Sequence, residues 1–220
     1  MTDRRTQRNP SSISTKAIIY LLRHGGIAGK TGPKRYIGQT DRPLSPVGRD
    51  QAQWWSQKLS DVSFEAIYAS DLKRSKETAE ILAVGREIPV QLRAGLREIN
   101  LGQWEGRIIA SVRSRFQKEF EARGLDFGGY HPPEGESFRN LQKRVLHVFQ
   151  EIVRAARGNV LIVGHAGVNR VILCHVLDLP VSHLFRMAQD YGCLNIIEKK
   201  AGFLQVTAIN WRPETAFQIC

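Results

Sequence analysis

Cysteine is scarce in this 220-residue chain, which contains only Cys174, Cys193 and Cys220. None of them forms a Cys-x-x-Cys pair, and their number is odd. Paired cysteines at regular spacing are what a disulfide framework or a cysteine-built zinc site requires. The sequence therefore predicts neither kind of site, and we expect the chain to work in a reducing compartment, the cytoplasm.

Long apolar runs are also missing, so no membrane-spanning helix is predicted and no membrane partner is expected. The first 16 residues are polar and lack the apolar centre of a secretory signal. Since several of them are basic, we expect residues 1–16 to be a disordered basic tail. Residues 17–220 are expected to form a single domain.

Acidic residues are outnumbered, with 21 Asp and Glu against 32 Lys and Arg, for a formal net charge of +11. Such an excess fits a basic surface without a specific partner, attraction of anionic substrates, or nucleic-acid binding. No aromatic and basic RNA-binding motif occurs, so we expect no nucleic-acid partner. The sequence leaves a homodimer open.

Histidines with the spacing of metal ligands are absent as well, because His131, His147, His175 and His183 show no ligand-like pattern. We therefore expect no metal site and no cofactor.

Short apolar runs alternate with amphipathic segments along the chain. Strands are predicted at 17–22, 65–69, near Val90, and at 159–163, 192–197 and 203–209. Helices are predicted at 46–59 with Ser45 as N-cap, from a cap at Ser70 or Asp71 to about 83, at 107–123, at 137–156 and from 166 to about 177. This alternation predicts an α/β fold, a three-layer α/β/α sandwich with a mostly parallel central sheet.

Two of the predicted strands end in a histidine, His24 in LLRHGG and His165 in LIVGHAG. In open α/β sheets, ligand sites lie just beyond the carboxyl ends of the strands. A single such histidine is better explained by a hydrogen bond to nearby backbone. Two of them point to a site at this edge.

Four motifs together resemble the histidine phosphatase superfamily, which includes the cofactor-dependent phosphoglycerate mutases. They are the Arg-His-Gly at 23–25, Arg74 in SDLKRSKETA, Glu98 in LREINLGQWEG and His165 in VGHAG. They occur in the family's order and at about its spacing, from Ile18 to Ile209. The resemblance implies a phosphoglycerate mutase-like fold and an enzyme that hydrolyses a small phosphomonoester.

The resemblance also implies roles for these residues. His24 would be the nucleophile that forms a phosphohistidine, and Arg23, Arg74 and His165 would form the phosphate pocket. A guanidinium fork matches the geometry of phosphate, and a protonated histidine adds a third donor. We expect the second ring nitrogen of His24 to donate to a backbone carbonyl of the Gly25–Gly26 turn.

Glu98 is expected to give a proton to the leaving oxygen and then to accept one from the attacking water. Glu105 is the rival carboxylate, and we favour a role for it in bracing a loop. Gly38, in RYIGQTD, is expected either to approach the phosphate closely or to be an ordinary turn glycine. Ala166, directly after His165, completes the expected phosphate-binding set.

The chain also departs from the family pattern. Many members have Arg-His-Gly-Glu-Thr, whereas this sequence has RHGGI and no asparagine between Gly25 and Gln39. One or two auxiliary phosphate contacts are therefore in doubt. Lys34, Arg35 and Tyr36 are the candidates to replace them.

The LREINLGQWEG segment is similar to the phosphatase branch of the family, since glycolytic mutases carry an ERHYG-type segment there. Within that branch, the WEG and RYIGQTDRPLS stretches are similar to α-ribazole phosphatases of cobalamin biosynthesis. Specificity is expected to lie in an insertion at about 107–136. Its rings would stack on a flat base or simply pack against the sheet. They belong to Phe116, Phe120, Phe127, Tyr130 and His131.

Two other functions stay open at this point. One is a phosphoglycerate mutase-type phosphotransferase on the same scaffold. The other is a catalytically silent binding module, against which the intact set of His24, Arg23, Arg74, Glu98 and His165 argues.

Overall fold

A computed structural model describes residues 17–29 and 32–213 of the chain. The predicted tail at 1–16 and Cys220 lie outside these residues. Within them, six strands form one sheet in the order β3-β2-β4-β1-β5-β6. They are β1 Ala17–Arg23, β2 Phe64–Ala69, β3 Val90–Leu92, β4 Asn159–Gly164, β5 Leu194–Lys199 and β6 Leu204–Trp211.

The first four strands in this order are parallel to one another, and β5 runs antiparallel to them. The edge strand β6 is antiparallel to β5 and therefore runs in the direction of the first four. Successive side chains of a strand point to opposite faces of the sheet. Leu21 of β1 therefore joins the core on one face, whereas Leu22 joins the core on the other. A sheet buried on both faces explains why its central strands are continuously apolar.

Helices cover both faces of the sheet. They are α1 Pro46–Lys58, α2 Lys73–Ala83, α3 Ile109–Arg115, α4 Gln117–Leu125, α5 Phe138–Ala155 and α6 Ala166–Val176. Side chains of α1 and α2 pack in one core, and those of α5 and α6 pack in the other. The predicted three-layer α/β/α sandwich with a mostly parallel sheet is confirmed. None of the described helices is both long enough and apolar enough to span a membrane.

The segment predicted to be helical at 107–123 forms two short helices, α3 and α4. The backbone of Phe116 leaves helical geometry (φ −126°, ψ 48°), and this residue separates α3 from α4. No residue of α4 is buried, so no core contact favours one continuous helix over two short ones. The last two strands begin one or two residues later than predicted.

The predicted cap of α2 was also wrong. The helix begins at Lys73, and the backbone N–H of that residue donates to Asp41 Oδ1, 2.7 Å away, from a distant loop. Asp71 instead forms a two-pronged ion pair with Arg97, at 2.6 and 2.7 Å. That pairing lowers the pKa of Asp71, because the guanidinium stabilises the charged carboxylate. By contrast, Ser45 caps α1 as expected and accepts from the Gly48 N–H.

The first turn of α1 lies directly against the turn that follows β1. A Cβ atom on Gly48 would stand 2.0 Å from the Gly26 carbonyl oxygen, and one on Gly25 would stand 2.2 Å from the Gly48 carbonyl oxygen. Only glycine allows two backbone segments to approach so closely. His24 lies between β1 and this turn, so the contact fixes its position.

The variant Gly48→Ala is therefore expected to lower the free energy of unfolding by about 1–3 kcal/mol, because backbone must move to admit the methyl group. Urea denaturation measures the change. Gly124→Ala is the matched control, since Gly124 is also helical but its Cβ would meet nothing within 4 Å. Equal stabilities for wild type and Gly48→Ala would contradict this contact.

Candidate active site

Three parallel strands bring polar residues to one edge of the sheet. His24 follows β1, Ser70 follows β2 and His165 follows β4. Carboxyl ends of parallel strands meet at the same edge. The ring centroids of His24 and His165 lie 5.0 Å apart there, so the two histidines predicted from the sequence do converge.

The hydrogen bonds of His24 fix its tautomer. Its Nε2 atom accepts a hydrogen bond from Arg74 Nε at 3.2 Å, and a guanidinium can only donate. The ring proton must therefore be on Nδ1, which donates to the Gly25 carbonyl oxygen at 2.7 Å. This is the carbonyl contact expected in the Gly25–Gly26 turn. It leaves the Nε2 lone pair facing the arginine.

Arg74 is almost completely buried and is held by backbone carbonyls. Its Nη1 atom donates to the Thr40 carbonyl oxygen at 2.8 Å, and its Nη2 atom donates to the Gly38 carbonyl oxygen at 2.5 Å. Burial lowers the pKa of Arg74, whereas the nearby carboxylate of Glu98 acts in the opposite direction. The guanidinium therefore has a fixed orientation toward His24.

Glu105 braces the loop that holds Arg74, as we favoured from the sequence. Its Oε1 atom accepts from the Gly38 N–H at 2.8 Å, the Thr40 N–H at 2.9 Å and the Thr40 hydroxyl at 2.6 Å. Its Oε2 atom accepts from the Gln39 N–H at 3.3 Å. One carboxylate thus orders residues 38–40, and two of their carbonyls, those of Gly38 and Thr40, orient the guanidinium.

Gly38 makes its close contacts within the protein, and its predicted approach to phosphate stays a prediction. A Cβ atom there would lie 2.2 Å from the carbonyl oxygen of Ile99, so the need for glycine comes from a contact within the protein. Its N–H already donates to Glu105, and its carbonyl accepts from Arg74. The backbone of Gly38 therefore links Glu105 to Arg74 and helps to hold the guanidinium in place.

His165 is fully buried, and its Nε2 atom lies 2.6 Å from the Ser70 hydroxyl oxygen. Its Nδ1 atom has no hydrogen-bond partner among the described residues. Burial first, and then the neighbouring His24 and Arg74, hold the pKa of His165 well below its usual value. This low pKa favours the neutral ring, and donation from a protonated His165 to phosphate stays a prediction. A bound dianion would favour the protonated form.

Arg23 precedes His24 in the chain, and its side chain contacts the segment before β5. Its Nη1 atom donates to the Gln189 carbonyl oxygen at 2.5 Å, and its guanidinium carbon lies 3.7 Å from the centroid of the Tyr191 ring. Its Nε atom is buried and has no partner among the described residues. The Tyr191 ring also lies 5.5 Å from the ring of His24.

Glu98 lies at the first turn of α6, next to His165. Its Oε2 atom accepts from the Gly167 N–H at 3.0 Å, and its Oε1 atom accepts from the Ile99 N–H at 2.9 Å. The N-terminus of a helix favours a negative charge at this place. Ala166 is the first residue of the same helix, and its predicted contact with phosphate stays a prediction.

Ser70 and Tyr191 were not among the site residues predicted from the sequence. Ser70 carried a usable signal, because it ends a buried strand in the same way as His24. Tyr191 carried none, since it precedes an antiparallel strand, and the direction of that strand is not visible in the sequence. Its backbone neighbour Gly192 donates an N–H to the His24 carbonyl oxygen at 3.1 Å.

The aromatic rings of the insertion at 107–136 pack on protein. Phe127 stacks on Phe138 at 5.2 Å, and Tyr130 stacks on Trp104 at 5.7 Å. Trp104 also contacts Tyr36, one of the candidates for an auxiliary phosphate contact, at 5.4 Å. These contacts favour the packing alternative over base stacking.

In the described part of the chain, no three histidine, cysteine, aspartate or glutamate side chains come together as metal ligands. Cys174 and Cys193 are buried and are not joined to another cysteine. Burial raises the pKa of the Cys193 thiol to about 12, which makes it a poor nucleophile.

The geometry agrees with the comparison to known proteins. The model for the histidine phosphatase superfamily (branch 1) matches residues 19–212. The chain belongs to the histidine phosphatase superfamily. This matched range contains both histidines, both arginines and Glu98.

Three relatives illustrate the range of this family. The adenosylcobalamin/alpha-ribazole phosphatase of Salmonella typhimurium is 27% identical over 201 residues, which cover 89% of this chain and 99% of that protein. The solved alpha-ribazole phosphatase of Shigella flexneri superposes with a TM-score of 0.82 at 27% identity, covering 91% and 100% of the two chains. The 6-phosphofructo-2-kinase/fructose-2,6-bisphosphatase of Gallus gallus is 32% identical over 213 residues, which cover 91% of this chain and 43% of that protein. The family match and the similarity to these phosphatases show that this histidine phosphatase is a phosphoric monoester hydrolase.

Glu105→Ala is expected to lower kcat/KM for phosphomonoester hydrolysis by about tenfold to a hundredfold, because the loop no longer fixes Arg74. Most of this loss should come from a higher KM, and inhibition by inorganic phosphate should become weaker. Steady-state kinetics measures both. Glu105→Gln keeps one acceptor oxygen and should recover part of the loss. Glu121→Ala removes an exposed carboxylate and serves as control; if it matched Glu105→Ala, the bracing role would be wrong.

The neutral state of His165 predicts how stability depends on pH. The unfolded chain protonates this ring near pH 6.5, whereas the folded protein does so only at lower pH. The unfolded state thus binds more protons in this window, and stability falls as the pH drops below about 6.5, by at most about 1.4 kcal/mol per pH unit from this ring. Urea unfolding from about pH 5 to 7.5 measures the slope.

His165→Gln should reduce that slope, whereas His147→Gln, which replaces an exposed histidine, should leave it unchanged. An NMR titration of the His165 ring gives the same information without a substitution there. A ring that titrates at its ordinary pH would overturn the assignment of a neutral imidazole.

Proposed function

We propose that this histidine phosphatase hydrolyses its substrates through a phosphohistidine formed on His24. The observation that carries the proposal is the unprotonated Nε2 atom of His24. It is turned toward a buried guanidinium. Two buried nitrogens of the same group of residues, Arg23 Nε and His165 Nδ1, have no hydrogen-bond partner in the described part of the chain. Buried polar groups normally have hydrogen-bond partners, and the oxygens of a phosphoryl group would supply them.

The geometry supports a two-step reaction. His24 Nε2 attacks phosphorus in line, and the bond to the leaving oxygen breaks while Glu98 gives that oxygen a proton. Water then attacks the phosphohistidine and loses a proton to Glu98, which releases inorganic phosphate and restores His24. A phosphoryl oxygen of the substrate would accept the hydrogen bond that the Arg74 Nε–H donates to His24 Nε2 in this structure. The lone pair of His24 Nε2 would then be able to attack. Arg23, Arg74, His165 and Ala166 would hold the phosphoryl oxygens.

We further propose α-ribazole 5'-phosphate as one substrate, which would place the enzyme in cobalamin biosynthesis. The names and the coverage of the Salmonella typhimurium and Shigella flexneri relatives support this step. A cytoplasmic location is supported by two buried cysteines that are not joined in a disulfide, Cys174 and Cys193.

Hydrolysis of an aryl phosphate in EDTA tests the mechanism. We expect activity in the wild type, and a loss of about a thousandfold or more in His24→Ala, because the nucleophile is removed. His147→Ala is the matched control, since His147 is exposed on α5. Equal rates for wild type and His24→Ala would refute the role of His24.

The intermediate can be shown directly. Rapid acid-free quenching after mixing with a ³²P-labelled ester should leave an acid-labile, base-stable label on the wild type and none on His24→Ala. Steady-state assays with α-ribazole 5'-phosphate then test the substrate. Hydrolysis of the aryl ester without hydrolysis of α-ribazole 5'-phosphate would reject that substrate and leave the mechanism standing.

A further inference from the structure

Ser70 is a fully buried serine directly after β2, and its hydroxyl contacts the ring of His165. The Ser70 Oγ atom lies 2.6 Å from His165 Nε2, and it has no other hydrogen-bond partner in the described part of the chain. The other ring nitrogen, Nδ1, is buried and also lacks a partner among the described residues. The two nitrogens of His165 therefore differ: one is held by a hydroxyl, and the other is free to meet a ligand.

The backbone at Ser70 is fixed by the two elements on either side of the ring. The Ser70 N–H donates to the Val163 carbonyl oxygen at 3.3 Å and to Ser75 Oγ at 3.2 Å. The Ser75 hydroxyl donates to the same carbonyl at 2.7 Å. Val163 lies in β4, two residues before His165, and Ser75 follows Arg74 in α2. These contacts fix the position of Ser70 Oγ relative to the ring.

The two neutral forms of His165 leave different numbers of buried groups without a partner. With the ring proton on Nε2, that nitrogen donates to Ser70, and both the hydroxyl proton and the Nδ1 lone pair lack a partner. With the ring proton on Nδ1, the hydroxyl donates to Nε2, and only the Nδ1–H lacks a partner. Because each unpaired buried polar group costs free energy, the contact with Ser70 favours the proton on Nδ1.

The same count applies to the charged ring. A protonated His165 carries a proton on both nitrogens, so Nε2 would donate to Ser70 and the hydroxyl proton would again lack an acceptor. Ser70 thus favours the neutral ring, as burial and the surrounding cations do. The other charged or titratable groups around the ring are His24 and Arg23 next to β1, Arg74 of α2, Arg144 of α5, and Glu98 at the first turn of α6.

We propose that Ser70 is a positioning residue of this phosphatase, whose hydroxyl keeps the proton of neutral His165 on Nδ1, the nitrogen that would donate to a phosphoryl oxygen. The proposal rests on the proposed function, because it takes the phosphoryl group to be bound at His24. Ser70 acts through the ring and does not touch the substrate. His165 can then donate to the phosphoryl group even before it is protonated.

Nitrogen-15 NMR of the histidine rings at about pH 8 tests the tautomer directly. In the wild type we expect the His165 proton on Nδ1, with Nε2 as the acceptor. The signal is assigned by its loss in His165→Gln. In Ser70→Ala nothing favours Nδ1, so we expect both neutral forms to be populated. A wild-type ring with its proton on Nε2 would overturn the proposal.

Steady-state kinetics with an aryl phosphate tests the consequence for binding and turnover. At about pH 8, Ser70→Ala should lower kcat/KM about fivefold to fiftyfold, because Nδ1 no longer carries a proton in every molecule. At about pH 5 the variant's ring is more often protonated and donates from both nitrogens, so the loss should shrink to about twofold. His24 and Glu98 are present in both proteins, so the ratio of their kcat/KM values reports on His165.

Ser137→Ala is the matched control. It also removes a buried hydroxyl, but one that caps α5 and makes no hydrogen bond to His165. Its kcat/KM should equal that of the wild type at both pH values. A loss in Ser70→Ala that is the same at both pH values would overturn the proposal, because a serine that only supports the fold acts in that way. The same pH-dependent loss in Ser137→Ala would overturn it as well.

The NMR result and the activity of His24→Ala separate this proposal from the proposed function. A ring proton on Nδ1, in a protein whose His24→Ala variant still hydrolyses the aryl phosphate, would uphold the effect of Ser70 on the ring and reject the nucleophile. A ring proton on Nε2 together with an inactive His24→Ala variant would reject the role of Ser70 and leave the phosphohistidine mechanism standing.

Discussion

The buried guanidinium of Arg74 is the group on which the rest of the site depends. A cation taken out of water is costly unless carbonyl oxygens and charges surround it. Here two carbonyls of the 38–40 loop accept from it, and His24 accepts from its Nε atom. Because the loop is in turn ordered by Glu105, one chain of hydrogen bonds runs from the WEG segment to the reactive ring. The orientation of His24 is therefore set by residues far from it in sequence.

These contacts between distant segments explain which parts of the site could be predicted from the sequence. His24 and His165 could be predicted because each directly follows a buried apolar run, and parallel strands bring their carboxyl ends to one edge. The loop-bracing role of Glu105 could be favoured, but its partners could not be named, since they lie about 65 positions away. Tyr191 could not be predicted, because its position depends on the antiparallel direction of β5. The close contact between Gly38 and the carbonyl of Ile99 could not be predicted either, because the two residues lie in segments far apart in the sequence.

The same limit holds for the fold. The order of strands and helices follows from local periodicity, and so the three layers could be predicted. Where an element ends is decided by contacts between distant segments. Asp41 caps α2 from the β1–α1 loop, while Asp71, the residue with the better local position, pairs with Arg97. The break between α3 and α4 occurs where α4 buries no residue, so tertiary packing does not enforce the helical pattern of the sequence.

The electrostatics of the site combine permanent and conditional charge. The guanidinium of Arg74 is a permanent cation held by backbone carbonyls, whereas burial and the neighbouring cations hold the pKa of His165 well below its usual value. A phosphoryl group bound as we propose would bring negative charge beside that ring and raise its pKa. Binding of the anion and protonation of His165 would then favour each other, because each stabilises the charge of the other.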